Sequence, residues 1–167
     1  MKVGHRSFPR HKTVTKERIW ATAELVEAGL IDIRLGDFIE VGEGPKGTRM
    51  VVDVPEVTLK SDRVNATLAT NDCADWLTMS ENGTLGALDV RLTLKTDDGA
   101  FIYVEYGGRV NMATGLAATA PTFQTSHEKY KWLNSVQAVA AGQINFDTKQ
   151  LIYRLYEVKV TAEEGLV

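Results

Sequence analysis

The chain has 167 residues, 44% hydrophobic and 25% charged, which suits one globular domain and excludes a disordered polymer. Lys and Arg number 19 against 22 Asp and Glu, a net of −3, so the basic surface needed for nucleic acid or an anionic membrane is missing. One cysteine, Cys73, excludes an internal disulfide and a paired-cysteine metal or redox motif.

Residues 1–12 are basic and lack the apolar core of a secretory signal. No run of about 18 apolar residues exists, so no helical membrane span is expected. With so little cysteine, the composition points to the cytoplasm. Over residues 13–28, Ile19, Ala23 and Val26 recur at helical spacing, Thr15 can cap and Gly29 suits a C-cap. This predicts a helix, with a strand from Trp20 to Val26 as the alternative. Residues 1–29 are therefore assigned to an N-terminal arm or helix, residues 30–160 to a β-domain, and residues 161–167 to a fraying tail.

From Leu30 onward the signal is β. Ile31 and Ile33 alternate with Asp32 and Arg34, and Gly42 to Gly47 form a glycine-rich turn. Short strands follow near residues 50–54, 57–60, 64–68 and 76–79. The clearest unit is the pair of alternating runs around Thr96-Asp97-Asp98-Gly99, a hairpin signal. A two-residue turn at Asp98-Gly99 sets Arg91 opposite Tyr106 and Asp89 opposite Gly108. Asp89, Arg91, Thr93, Val104 and Tyr106 then share one face. A three-residue loop breaks that pairing. Residues 115–126 read as a loop, 127–131 as a helical turn, 132–140 as a strand and 151–158 as the last strong strand. The class is all-β. About eight strands suit a single antiparallel barrel able to hold one small ligand.

Several ordered stretches carry a resemblance: Pro45-Lys46-Gly47-Thr48-Arg49, Ala74-Asp75-Trp76, Gly83-Thr84, the run from Leu88 to Gly99, and Gly107-Gly108-Arg109. Phe123-Gln124-Thr125, Tyr130-Lys131-Trp132-Leu133-Asn134 and Tyr156-Glu157-Val158 continue it. Over about residues 33–158 the chain resembles the family of domain of unknown function 3237. That likeness implies a small barrel, similar to the allene oxide cyclase and lipocalin-like barrels, with a pocket inside. The family often has glycine pairs where this chain has Pro55-Glu56 and Asn71-Asp72.

Asp89 and Arg91 stand two apart and so share a strand face. Facing inward, they bring a carboxylate-held guanidinium near the Tyr106 phenol, a set for anion binding and proton transfer. The alternative is an outer-face ion pair over a core of Val90, Leu92 and Leu94. The resemblance, whose motif spans Asp89, Arg91 and Thr93, implies the inward arrangement. Asp75 beside Trp76 offers a second carboxylate of raised pKa, or a turn cap beside a core ring. Trp132 and Asn134 can flank a planar ligand or serve the core and rim. Arg109 after Gly107-Gly108 can anchor an anion at the rim or lie free on the surface, and Tyr156 can reach the pocket or pack in the core. His5, His11 and His127 show no metal-ligand spacing, and neither a phosphate loop nor GxSxG occurs, so no metal or cofactor is expected.

Together these readings point to a cofactor-independent lyase or isomerase for a small aromatic or enolisable organic acid. Tyr106, Asp89, Arg91 and Asp75 are the catalytic candidates, and Arg109, Trp76, Trp132, Asn134 and Tyr156 the binding ones. The rival is a non-catalytic lipocalin-like barrel for a hydrophobic small molecule. Expected partners are a small molecule and further copies of the chain in a homo-oligomer, with neither nucleic acid nor membrane.

Overall fold

The structure is a computed structural model and describes residues 19–164, with side chains over 21–162. The expected basic arm, residues 1–12, and the last three residues of the tail lie outside the described residues.

The strands are β1 (Ile19–Arg34), β2 (Phe38–Gly44), β3 (Gly47–Asp53), β4 (Glu56–Lys60), β5 (Ala66–Leu68) and β6 (Ala74–Met79). They continue with β7 (Leu85–Thr96), β8 (Phe101–Asn111), β9 (Leu116–Thr119), β10 (Thr122–Gln124), β11 (Ala138–Asn145) and β12 (Gln150–Glu164). Eight of them close a ring in the order β7-β8-β9-β11-β12-β1-β4-β5 and back to β7. Strand β6 pairs with the first half of β7 and is extended by β3 and β2, while β10 adds to β8. The expected antiparallel barrel is present, with these extra strands.

By contact the chain forms two units. Residues 25–158 are the barrel. In the other unit, residues 19–24 and 159–164 run as strand, and the Thr22 and Thr161 hydroxyls lie 3.0 Å apart.

The helix expected over residues 13–28 does not form where the chain is described, because β1 already runs from Ile19. Gly29 is not a helix cap. At φ +148°, a Cβ there would stand 2.5 Å from the Lys60 carbonyl oxygen, so glycine lets β1 cross close over the end of β4. Residues 161–164, expected to fray, belong to β12, and the stretch expected as a loop at 115–126 supplies β9 and β10.

The β7–β8 hairpin fixes which side chains face inward. Its loop is three residues long, Asp97-Asp98-Gly99, with Gly99 at φ +89°. The Thr96 amide donates to the Ala100 carbonyl and the Gly99 amide to the Thr96 carbonyl, both at 2.9 Å. The register is therefore Arg91 opposite Glu105, Val90 opposite Tyr106 and Asp89 opposite Gly107, one step from the two-residue expectation. A one-step slip exchanges faces. Val90, Leu92, Leu94, Ile102, Val104 and Tyr106 point into the core, and Asp89, Arg91, Tyr103 and Glu105 point out.

One end of the barrel is closed by a 3₁₀ helix over Glu128–Ser135, where a strand was expected from 132. Tyr130 and Leu133, three apart, fall on the same face of such a helix and are both buried. Asp98 in the hairpin loop pins it, accepting from the Thr96 hydroxyl and the Lys129 ammonium at 2.6 Å each and from the Tyr130 hydroxyl at 2.9 Å. The Lys129, Thr96 and Tyr130 donors hold the Asp98 carboxyl well below the usual carboxylate range. Its contribution is present above the ordinary carboxylate pKa and is lost as pH falls through the lowered value. Asp98→Ala is expected to speed amide hydrogen exchange across 128–135 while leaving β7 and β8 protected. Unchanged exchange there would mean that the Tyr130 and Leu133 packing holds the helix alone.

Candidate functional site

A cavity lies inside the barrel, between an inner row of side chains and an open mouth. Lateral pairing builds the row: Val52 on β3 is opposite Asp75 on β6, Asp75 opposite Val90 on β7, and Val90 opposite Tyr106 on β8. Tyr153 enters from β12, its ring 6.3 Å from that of Tyr106 at an interplanar angle of 74°. Ile33, Leu77, Val110 and Leu151 supply apolar wall, and Phe38, Phe146 and Met112 stand at the mouth. The space between atoms, mouth included, is about 530 Å³.

Asp75 is the charged residue of the lining and is 8% exposed. Burial raises its carboxyl from an ordinary 3.8 to about 6, and the nearby Asp89 carboxylate adds to the rise. The Asp89 amide, donating to Asp75 Oδ1 at 2.9 Å, and the Arg49 charge pull the other way. Burial also pushes both phenols up. Tyr106 is raised further by Tyr153, Cys73 and Asp75, and Tyr153 by Asp75, so both stay neutral donors at any physiological pH. Among the described residues neither phenol has a hydrogen-bond partner. An apolar cavity thus holds a carboxyl that titrates near neutrality and two free hydroxyl donors.

Of the residues singled out in the sequence, Asp75 and Tyr106 meet in this cavity. Asp89 and Arg91 do not join them. They pair at 3.2 Å on the outer face, both about half exposed, with the Arg91 guanidinium 5.8 Å above the Trp76 ring. The three-residue loop is the reason. Trp76 alternates with Asp75 and so faces out, and its carbonyl accepts from the Arg49 guanidinium. Arg109 is exposed and donates to the Gly108 carbonyl at 2.8 Å. Tyr156 takes the outer parity of β12, opposite Val139.

Trp132 and Asn134 lie at the closed end, on the 3₁₀ helix. The Arg63 guanidinium covers the Trp132 ring at 3.3 Å and reaches Glu157 at 3.2 Å. Asn134 is a staple: its side chain accepts from the Thr125 amide at 2.8 Å and donates to the Thr125 carbonyl at 2.9 Å.

Sequence reading passed over Tyr153, Phe38 and Phe146. For Tyr153 a signal existed, since Leu151, Tyr153 and Leu155 alternate and all three are buried. Cys73 is buried, and burial, then Asp72, Asp53 and Asp75, push its thiol up to about 12, so it stays protonated. Among the described residues no three His, Cys, Asp or Glu side chains gather as a metal site, and no helix is long and apolar enough to cross a membrane.

Known proteins share this architecture. A UPF0311 protein of Bradyrhizobium diazoefficiens is 29% identical over 133 residues, 70% of this chain and 86% of that one. A β-barrel-like protein from Acinetobacter baumannii superposes with a TM-score of 0.74 at 25% identity, over 83% of this chain and 97% of the other. A conserved protein of unknown function from Rhodopseudomonas palustris gives 0.73 at 23% identity, over 83% and 99%. An enzyme from Penicillium herquei gives 0.62 at 19% identity, over 94% and 100%, a likeness of fold. The model of one family, described as a protein of unknown function (DUF3237), matches residues 23–118 and 114–158, beginning ten residues before the resemblance read from sequence. With most of the chain matched and the barrel in place, the protein belongs to the DUF3237 family.

Proposed function

We propose that the cavity is the active site of a cofactor-independent lyase or isomerase that moves a proton at the carbon beside a carbonyl group. The observation that carries this reading is a carboxyl titrating near 6 in an apolar cavity, beside two buried phenols with free donors. A base is most effective when its pKa lies near the working pH, and a neutral phenol in a water-poor site stabilises oxyanion charge strongly.

Ionised Asp75 takes the α proton. The C–H electron pair becomes the enolate double bond, and the carbonyl π pair moves onto oxygen. Tyr106 or Tyr153 donates a hydrogen bond to that oxygen as its charge grows. Asp75 then returns the proton, to the same carbon for exchange or to another for isomerisation. Decarboxylation or retro-aldol cleavage leaves an equivalent enolate for the same acid to quench. Asp89, Arg91 and Arg109 have no part in this scheme, since they lie outside the cavity. One structural neighbour is called an enzyme, but the reading rests on the cavity. The apolar lining also suits the second reading, a barrel that binds a hydrophobic molecule without chemistry.

Proton NMR of methyl ketones such as 4-phenylbutan-2-one in D₂O separates the two. Deuterium is expected at the α carbon, at a rate that rises with pH and levels off above a midpoint near 6. Replacing both phenols, Tyr106→Phe with Tyr153→Phe, is expected to slow it about a hundredfold. Line broadening of the ketones without exchange would overturn the enzyme in favour of the binding barrel.

A further inference from the structure

We infer that Lys149 anchors an anionic group of the substrate, so that the site takes an amphipathic keto acid: a small carbonyl head in the barrel, an apolar body in the mouth and an anion at the rim. This rests on the cavity being a carbonyl site. The groups that would meet the carbonyl, Asp75, Tyr106 and Tyr153, are all buried, so the carbonyl head sits among them. The remainder of any larger guest must lie in the mouth, between Phe38 and Phe146, which are 40% and 42% exposed. No cation lines the cavity among the described residues, and ionised Asp75 repels an anion from its depth. An anionic group on the guest is thereby confined to the rim.

The rim supplies its counterpart. The turn between β11 and β12 is set by Asn145, whose side-chain oxygen accepts from the Asp147 and Thr148 amides at 3.0 Å each. It delivers Phe146 to the mouth and ends on Lys149 at φ +55°, the one non-glycine residue with positive φ among those described. The Leu35 amide donates to the Lys149 carbonyl at 2.8 Å, tying the turn to the end of β1. A lysine stands where glycine or asparagine is usual. Its ammonium lies 5.9 Å from the centre of the Phe38 ring, which itself lines the cavity. It donates to the Gly36 carbonyl at 3.0 Å and lies 3.9 Å from Asp37, whose side chain is 91% exposed. The Asp37 contact is long and solvated, so the charge remains available to a guest.

The test compares two probes of one shape, 4-(3-oxobutyl)benzoate and its methyl ester, by calorimetric titration and by α-proton exchange. The wild type is expected to bind the acid about fivefold more tightly than the ester, an advantage that fades in high salt. Lys149→Gly suits the backbone conformation, folds, and is expected to abolish the preference while still binding the ester. Lys149→Arg is expected to keep it. Equal affinity in the wild type, or a preference that survives in Lys149→Gly, overturns the anchor while ketone exchange leaves the cavity chemistry standing. Failure of both probes to bind or exchange overturns the two readings together.

Discussion

Asp75→Asn is expected to abolish α-proton exchange and, at the same time, to make the protein more stable above pH 6. Burial raises the folded carboxyl from 3.8 to about 6. Across that window the folded protein holds a proton that the unfolded chain has released, so stability falls as pH rises and stays lower beyond it. A rise of about two pH units corresponds to roughly 3 kcal/mol as an upper figure, reduced where water reaches the cavity. Asparagine carries no charge to desolvate, and its oxygen still accepts from the Asp89 amide, so the local ladder survives. Urea melts at pH 4 and pH 8 check this: the variant should gain on the wild type at pH 8 and lose most of that gain at pH 4. A variant weaker at pH 8 would show that the folded barrel holds the ionised carboxylate better than water does. Exchange that persists in the variant would remove Asp75 from the chemistry.

Gly142→Ala is expected to cost about 1–3 kcal/mol and to displace Tyr153. A Cβ at 142 would stand 2.4 Å from Tyr153 Cδ1 and 2.7 Å from the Ile152 carbonyl oxygen. The oxygen is backbone, fixed by the β11–β12 ladder in which Gly142 and Tyr153 are paired. The ring is the softer neighbour, but it is walled in at 2% exposure and lies edge-on to Tyr106. The ring borders the cavity, so relief means movement of the phenol into it and out of line with Tyr106. Thermal melts should show a fall of a few degrees for each kcal/mol lost. Tyr153 ring resonances should shift with it. An unchanged melting temperature would mean that β11 can lift from β12 at this point without penalty.

The barrel was legible in the sequence because alternation and glycine turns report strands directly. Strand faces were legible only where register was known. The Asp97-Asp98-Gly99 loop accommodates either two or three central residues, and that single choice placed Arg91 outside and Tyr106 inside. Asp75 stood out beside Trp76, which faces out; the apolar surroundings that raise its carboxyl come from other strands, Val52 and Val90 among them. The apparent helix at Ile19, Ala23 and Val26 failed because residues spaced by three and four also occur by chance on a strand. Trp132 and Asn134 were assigned to a strand because a 3₁₀ helix leaves little periodic trace and draws its stability from partners far along the chain, Asp98 and Thr125. Lys149 carries no local pattern. Its position follows from a turn that docks against β1, a contact between residues distant in sequence.

The two ends of the barrel are unlike. One is stoppered by the 3₁₀ helix, with Arg63 laid over Trp132, and the other is flanked by two partly exposed rings, Phe38 and Phe146. A cavity entered past Phe38 and Phe146 has a kinetic signature. Whatever leaves must retrace the path of whatever arrived, so a spent molecule and a fresh one contend for the same threshold. On the proposed chemistry, accumulating product is expected to compete with substrate, and turnover to depend on how quickly the aromatic rim lets it go.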